Sequence, residues 1–286
     1  MQKFRYIIQE IRITHWIKNL LLFGPLLFAK LFLNVEFLGK TILGFLSFSF
    51  AASSIYIIND IIDRKFDKNH PKKKTRPIAS GNISIPEANF LIIALLALAI
   101  SIALYINPKF LAVLPVYVFL NLVYSLKFKH VAIFDIIFIS LMYVLRVYAG
   151  AAVINVPVSE WILLTTFFLA LFLILAKRRS EYIRNYEMEF KDNSRQVLTL
   201  YNRDILNFLL VSSFSITITF YAFYAMTKSS LFIWSILMVI FVLMRYLYLI
   251  FVEDKGEEPV ELVIKDKQIF FGMCIWVLYI LFILYF

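Results

Sequence analysis

YIINDIIDRKFDKNHPKKKTRPIASG, residues Tyr56 to Gly81, sets Asn59, Asp60, Asp63 and Asp67 ahead of Lys72, Lys73, Lys74 and Arg76. On a helix turning about 100° per residue, Asn59, Asp63 and Asp67 advance about 40° per step, and Asp60 falls in the same quadrant. Oxygen-bearing side chains on one face, followed by a basic loop, suit a divalent cation that carries a phosphorylated ligand. A charged loop between two membrane spans accounts for the lysines and arginines with no ligand at all. It does not account for three acids on one face, reached directly from an apolar segment.

That apolar segment is one of many. Apolar residues make up 62% of the chain and charged residues 17%, far from the balance of soluble proteins. Several runs approach or exceed the ~17 apolar residues that cross ~30 Å of hydrocarbon as a helix. The chain therefore reads as an all-α integral membrane protein with nine spans, at about 19–34, 41–58, 86–106, 109–125, 131–153, 160–176, 204–227, 231–251 and 268–286. Residues 1–19 are polar and basic and contain no short apolar stretch before a small-residue cleavage site, so no removable signal peptide is expected. The lone Cys274 has no second thiol for a disulfide or a metal site and reads as a packing residue.

Positive charge fixes the expected orientation. Connections after spans 1, 3, 5 and 7 carry Lys40, Lys109 and Lys228, whereas Lys and Arg crowd 64–76, Lys127 and Lys129, and 177–203. An odd number of spans with a cytoplasmic N-terminus produces that alternation. The net charge of +10 then reflects this bias first and anionic lipid or phosphate substrates second, with no nucleic acid. The expected cytoplasmic loops run about 59–85, 126–130, 177–203 and 252–267. Segment 181–203 has helical spacing and mixed charge and is expected to lie along the membrane surface. Segment 252–267 is acidic, with a turn at Gly256 and Pro259. It either covers a site or stays solvated.

Three further polar clusters fall at the same membrane face. Arg12, His15, Trp16, Lys18 and Asn19 stand at the entrance of span 1; Tyr124, Lys127 and Asp135 gather where span 4 ends and span 5 begins; Lys177, Arg178, Arg179 and Glu181 end span 6. Arg146 lies eleven residues beyond Asp135, about 16 Å deeper at about 1.5 Å per residue, so the two cannot pair. An arginine inside an apolar span costs a few kcal/mol unless it meets a partner on another helix or lines a polar cavity; the cavity is the preferred reading. Interfacial snorkelling accounts for Lys18, Lys127 and Lys177 singly. Their convergence with an acidic face favours a phosphate site. No Ser–His–Asp set, zinc spacing or Walker loop is present. Such residues permit departure of pyrophosphate from carbon, with metal and cations taking up its charge.

NDIIDRKFD matches the NDxxDxxxD signature of the UbiA superfamily of intramembrane prenyltransferases. RITHWIKN, YSLKFKHVAIFD, YVLRVYAGA, AKRRSEY and GEEPVELVIKDKQI, together with the opening stretch, resemble its decaprenyl-phosphate phosphoribosyltransferase branch in the branch's own order. The resemblance implies one transmembrane domain over 1–286, a nine-helix bundle around a polar cavity on the cytoplasmic side, in a prokaryotic inner membrane. It implies transfer of 5-phosphoribose from phosphoribosyl diphosphate to a polyprenyl phosphate, with Mg²⁺, releasing pyrophosphate. The second acidic motif of aromatic prenyltransferases is reduced here to Asp135, with Val at position 131. Fewer carboxylates and more cations suit a site holding two anionic substrates.

By the same resemblance Asn59 and Asp63 would hold Mg²⁺, with Asp60 and Asp67 ordering its waters or the ribose. Lys18, Tyr56, Lys73, Arg76, Tyr124 and Lys127 would grip the phosphoribosyl diphosphate. Arg146, Lys177 and Arg178 would bind a phosphate of either substrate, with Lys74 and Arg179 as neighbouring alternatives. Asp63, Asp67 and Asp135 are the expected acids at the reacting centre, Asp135 orienting a hydroxyl or stabilising charge at C1. Two other functions fit the composition: a prenyl-diphosphate transferase acting on an aromatic acceptor, and a lipid transporter or lipid-binding protein. The Phe- and Ile-rich outer faces suit lipid and a homo-oligomer equally.

Overall fold

Asn34 opens the longest helix by accepting the backbone N–H groups of Glu36 (3.0 Å) and Phe37 (3.3 Å) on its side-chain oxygen, a standard N-cap. Nothing breaks the run until Asp63, so this helix spans Val35–Ile62. The structure is a computed structural model describing residues 2–70, 73–187, 196–256 and 259–286. Lys72 of the basic run, residues 188–195 of the expected surface segment and Glu257 and Glu258 of the acidic loop lie outside the described residues.

The long helices are α1 (Gln2–Ile11), α2 (Val35–Ile62), α3 (Ile85–Ile106), α4 (Pro108–Leu126), α5 (Phe134–Ile154), α6 (Glu160–Tyr182), α7 (Arg203–Met226), α8 (Ser235–Val252) and α9 (Lys267–Tyr285). Eight helical stretches among the described residues are long and apolar enough to cross a membrane: α2 to α5, α7, α9, and α6 and α8 with their short extensions. The expected first span, 19–34, is not one helix. Ile13–Leu22 winds as a 3-10 helix, Phe23–Phe28 as a short α-helix containing Pro25, and Lys30 takes a left-handed φ of 60°. The loop expected to begin at residue 59 begins later, because α2 continues to Ile62. The acidic 252–267 connection carries a short helix, Pro259–Lys265, and residues 183–187 and 196–200 of the expected surface segment form short helical turns.

The chain forms two compact units, residues 1–127 with 145–157, and residues 128–144 with 158–286, and α5 contributes to each. In the first unit α2 presents a face of small residues. Ser47 donates to the Ala99 carbonyl of α3 at 2.7 Å, Asn19 donates to Ser49 at 3.0 Å, and Ser53 donates to the Ile11 carbonyl at 2.8 Å. Each serine saves a buried donor from going unsatisfied and lets a neighbouring backbone approach. Ile57, Ile78, Ile83 and Ala88 bury together at the base of this unit, against Tyr6, Ile7 and Ile11 of α1. Gly150 of α5 is equally demanding: a Cβ there would stand 2.1 Å from the Leu22 carbonyl oxygen. In the second unit α6 packs along α7 and α8 along α9. Phe172, Leu175, Leu206, Leu210, Tyr246 and Ile250 form its core.

Candidate active site

The acidic row survives the end of α2. Asp63 donates its N–H to the Asn59 carbonyl at 2.8 Å and Asp67 donates to Asp63 at 2.9 Å, so helical spacing passes through the junction into the short helix Arg64–Lys68. The predicted face therefore exists, but its members differ in what they meet. Asp60 and Asp67 are each 3% exposed. Arg76 Nη1 donates to Asp60 Oδ1 (2.9 Å) and to Asp67 Oδ2 (2.6 Å), and Arg12 Nη2 donates to both Asp60 oxygens, 2.6 Å from Oδ1. The Asn59 side-chain oxygen is buried and accepts no hydrogen bond among the described residues.

Two contributors to this cluster come from the N-terminal arm. Arg12, between α1 and the 3-10 helix Ile13–Leu22, adopts a left-handed conformation (φ 55°, ψ 51°) and lays its guanidinium 5.2 Å from the Tyr56 ring centroid. Glu10, 1% exposed, has neither carboxyl oxygen accepting a hydrogen bond among the described residues. Burial and then the neighbouring Asp60 push its carboxyl up to about 8, against a smaller pull from Arg12 and Arg76. The sequence put Arg12 in a polar cluster and gave Glu10 no role. The only available signal was an acid on an amphipathic helix whose apolar face packs inward, and such acids are usually solvated.

Of the predicted site residues, Lys18, Tyr56, Asn59, Asp60, Asp63, Asp67, Lys73, Arg76, Tyr124, Lys127 and Arg146 lie in the first unit. His15, expected to be a simple interfacial residue, packs edge-on against Tyr56 with centroids 5.2 Å apart. Arg146 is 4% exposed and donates from Nε to Asn19 Oδ1 at 2.8 Å and from Nη2 to the Tyr117 hydroxyl at 3.2 Å. Partners on other helical segments thus meet its cost, the alternative to the polar cavity that the sequence favours. Lys18, Tyr56, Tyr124 and Lys73 are half-buried and Lys127 is exposed.

Asp135, Lys177 and Arg178 lie in the second unit. Asp135, 1% exposed, accepts Arg178 Nε at 2.9 Å and the Tyr201 hydroxyl at 2.7 Å. Arg178 Nη1 also donates to Glu181 at 2.9 Å. The Tyr201 oxygen accepts the backbone N–H of Ile133 at 2.7 Å, and Ile133 sits at φ 69°, a rare conformation for a β-branched residue. Sequence reading missed Tyr201, which is 66 residues from Asp135 and one of 16 tyrosines. Arg179, the neighbour of Arg178, is committed elsewhere: its side chain donates to Asn207 (2.8 Å), the Ile250 carbonyl (2.9 Å) and Asp254 (3.1 Å).

The donor set at the end of α2 fits Mg²⁺. Asn59 offers an unpaired buried amide oxygen with the Asp63 carboxylate one helical turn on, and no group of three His, Cys, Asp or Glu side chains suited to a metal occurs among the described residues. Mg²⁺ takes one or two protein oxygens and completes its octahedron with water and substrate phosphate, whereas zinc and calcium need fuller protein shells.

The UbiA prenyltransferase family model matches residues 20–283. Decaprenyl-phosphate phosphoribosyltransferase of Mycobacterium tuberculosis is 34% identical over 61% of this chain and 59% of its own, so the match spans less than two thirds of that relative. The protein of the same name from Mycolicibacterium smegmatis is 32% identical over 78% of this chain and 70% of its own. The fold is similar to that of a UbiA homolog from Archaeoglobus fulgidus bound to GPP and Mg²⁺, with a TM-score of 0.74 and 24% identity over 98% of this chain and 99% of that one. A family model that runs through both units, and a fold shared end to end, make this chain a member of the UbiA prenyltransferase family.

Proposed function

We propose that the chain transfers 5-phosphoribose from phosphoribosyl diphosphate to a polyprenyl phosphate and releases pyrophosphate. One observation carries the choice of donor. Asp135, the single acid left in the stretch where aromatic prenyltransferases have two, is bound by Arg178 and Tyr201. A carboxylate held by a guanidinium is poorly placed to share a second metal on a prenyl diphosphate. The relatives named as phosphoribosyltransferases support the same reading.

Asn59 and Asp63 would hold Mg²⁺, which when bound takes up negative charge on a diphosphate. Lys73 and Arg76 at the base of the acidic row, with Lys18, Tyr56, Tyr124 and Lys127, would bind the donor's phosphates; Arg146, Lys177 and Arg178 would serve a phosphate of either substrate. The bond from C1 of ribose to the diphosphate oxygen breaks and its electron pair leaves with pyrophosphate. A lipid phosphate oxygen forms the new bond to C1 from the opposite face, inverting that centre. An ionised phosphate is already a nucleophile, so no residue need act as a base. Asp67 and Asp135 would orient the sugar or steady positive charge at C1. With the broken helical segment 13–28 as a ninth crossing, the basic loops all face the cytoplasm, where a soluble sugar diphosphate arrives.

The test is direct. Purified chain in detergent would receive labelled phosphoribosyl diphosphate, Mg²⁺ and polyprenyl phosphates of several lengths. Labelled lipid and stoichiometric pyrophosphate are expected. No labelled lipid at any length, with a prenyl diphosphate consumed in its place, would overturn the reading.

A further inference from the structure

The family model begins at residue 20, yet two of the side chains gathered around Asp60 precede it. Arg12 reaches Asp60 with one nitrogen on both oxygens, and Arg76 reaches Asp60 and Asp67 with one nitrogen. Neither Nε nor the second terminal nitrogen of either arginine has an acceptor among the described residues. A guanidinium carries five donors in a rigid fork. Fixing one corner of Arg76 between two carboxylates therefore aims the remaining donors in a set direction.

We propose that Arg12 and Glu10 are positioning residues for the phosphate-binding part of the site: they hold the Asp60 carboxylate between two arginines and so aim Arg76 at the donor's diphosphate. This rests on the reading above, in which Arg76 binds that diphosphate. The arm is built for the task. Arg12 adopts left-handed backbone angles that are unfavourable for a residue other than glycine, and strain of this kind persists only where surrounding contacts over-determine it. Those contacts are present. Ser53 of α2 donates to the Ile11 carbonyl at 2.8 Å, Trp16 Nε1 donates to Ser53 at 3.0 Å, and Tyr56 lies against the guanidinium.

Glu10 completes the arrangement through its proton. Its carboxyl is buried, and burial and then the charge of the neighbouring Asp60 favour its neutral form. The charged groups around it are Asp60 of α2, Arg12 of its own arm, and Arg76 at the head of the short helix Pro77–Ser80. With Glu10 neutral, two arginines balance Asp60 and Asp67. Ionised Glu10 adds a third carboxylate, repels Asp60 and draws both arginines away from an incoming anion.

The experiment measures inorganic pyrophosphate binding to the purified full chain by titration calorimetry, with and without Mg²⁺, alongside donor kcat and KM. Arg12→Ala should weaken pyrophosphate at least tenfold and raise donor KM more than it lowers kcat, and Arg12→Lys should recover part of the loss. From pH 6.5 to pH 9 wild-type affinity should fall several-fold relative to that of Glu10→Gln, which carries the pyrophosphate's own ionisation but not that of Glu10. Pyrophosphate bound equally well by folded Arg12→Ala, or one pH profile for wild type and Glu10→Gln, would overturn the proposal. Should Arg12→Ala not fold, Arg12→Lys decides, because an ammonium lacks the fork: at least threefold weakening is expected and none would overturn the role. These titrations use no lipid acceptor. A wild type that makes no phosphoribosyl lipid thus sinks the proposed function while the roles of Arg12 and Glu10 are still decided.

Discussion

Replacing Tyr201 with Phe deletes one oxygen that serves two partners, and the cost can be worked from the structure. The hydroxyl donates to Asp135 at 2.7 Å, where Asp135 is 1% exposed. A hydrogen bond to an ionised group contributes about 1.5–3 kcal/mol. The same oxygen accepts the Ile133 N–H at 2.7 Å. Leaving that donor unsatisfied costs about 1–3 kcal/mol, and water entering the space recovers part of it. Ile133 holds φ at 69°, so the lost acceptor also releases a strained turn. Tyr201→Phe is therefore expected to destabilise the protein by about 2–4 kcal/mol. Burial pushes the Tyr201 phenol above its ordinary range, which keeps it a neutral donor at any working pH. The assay is equilibrium unfolding in mixed micelles of wild type, Tyr201→Phe, Asp135→Asn and the double variant. Because the side chains touch, the cycle should show coupling of about 1–3 kcal/mol. A Tyr201→Phe change below about 0.5 kcal/mol, the scatter of neutral substitutions, or strict additivity in the cycle, would refute the reasoning.

Other outcomes follow from single contacts. Asp63→Ala should abolish turnover while the chain still inserts and folds; activity retained at ordinary Mg²⁺ concentrations would show that the metal ligands are misassigned. Gly150→Ala should prevent folding or cost more than about 3 kcal/mol, since backbone cannot yield to a Cβ 2.1 Å from the Leu22 oxygen. Gly39→Ala, in the same unit and with no atom within 4 Å of the added methyl, should instead stabilise α2 by about 0.5–1 kcal/mol. Unfolding midpoints distinguish the two glycines. Glu10, pushed up from 4.5 to about 8, lets the folded chain bind more protons than the unfolded one between those values. Stability from this group is thus present below pH 4.5 and lost as pH rises to about 8. Glu10→Gln should gain on wild type through that window and hold a constant advantage above it, as read by midpoints across pH 4 to 9.

The spans were legible because the hydrocarbon core imposes a length and a composition on any helix that crosses it, and α2 to α9, with the short extensions of α6 and α8, have both. The break in the expected first span was less so. Residues 19–34 are apolar enough to cross, but apolarity does not report the 3-10 winding of 13–22 or the left-handed Lys30. The acidic row was readable from its spacing of four, and i to i+4 hydrogen bonds carry that spacing past the end of α2. The partners of each acid were not readable. Asp60 meets Arg12, 48 residues away, and Asp135 meets Tyr201, 66 residues away, and no local pattern encodes either encounter.

Tyr56 to Gly81 thus determined by itself that the chain carries oxygen ligands on one helical face beside a basic loop, because periodicity and charge order are properties of neighbours in the chain. Tertiary structure alone decided which of these groups are already satisfied. Asp60 and Asp67 are paired with Arg12 and Arg76, while the Asn59 oxygen, buried and accepting nothing among the described residues, is left as a metal-ligand candidate. The reason is physical: a buried charge must find an opposite partner wherever the fold brings one, and the chain's own order does not say where that will be.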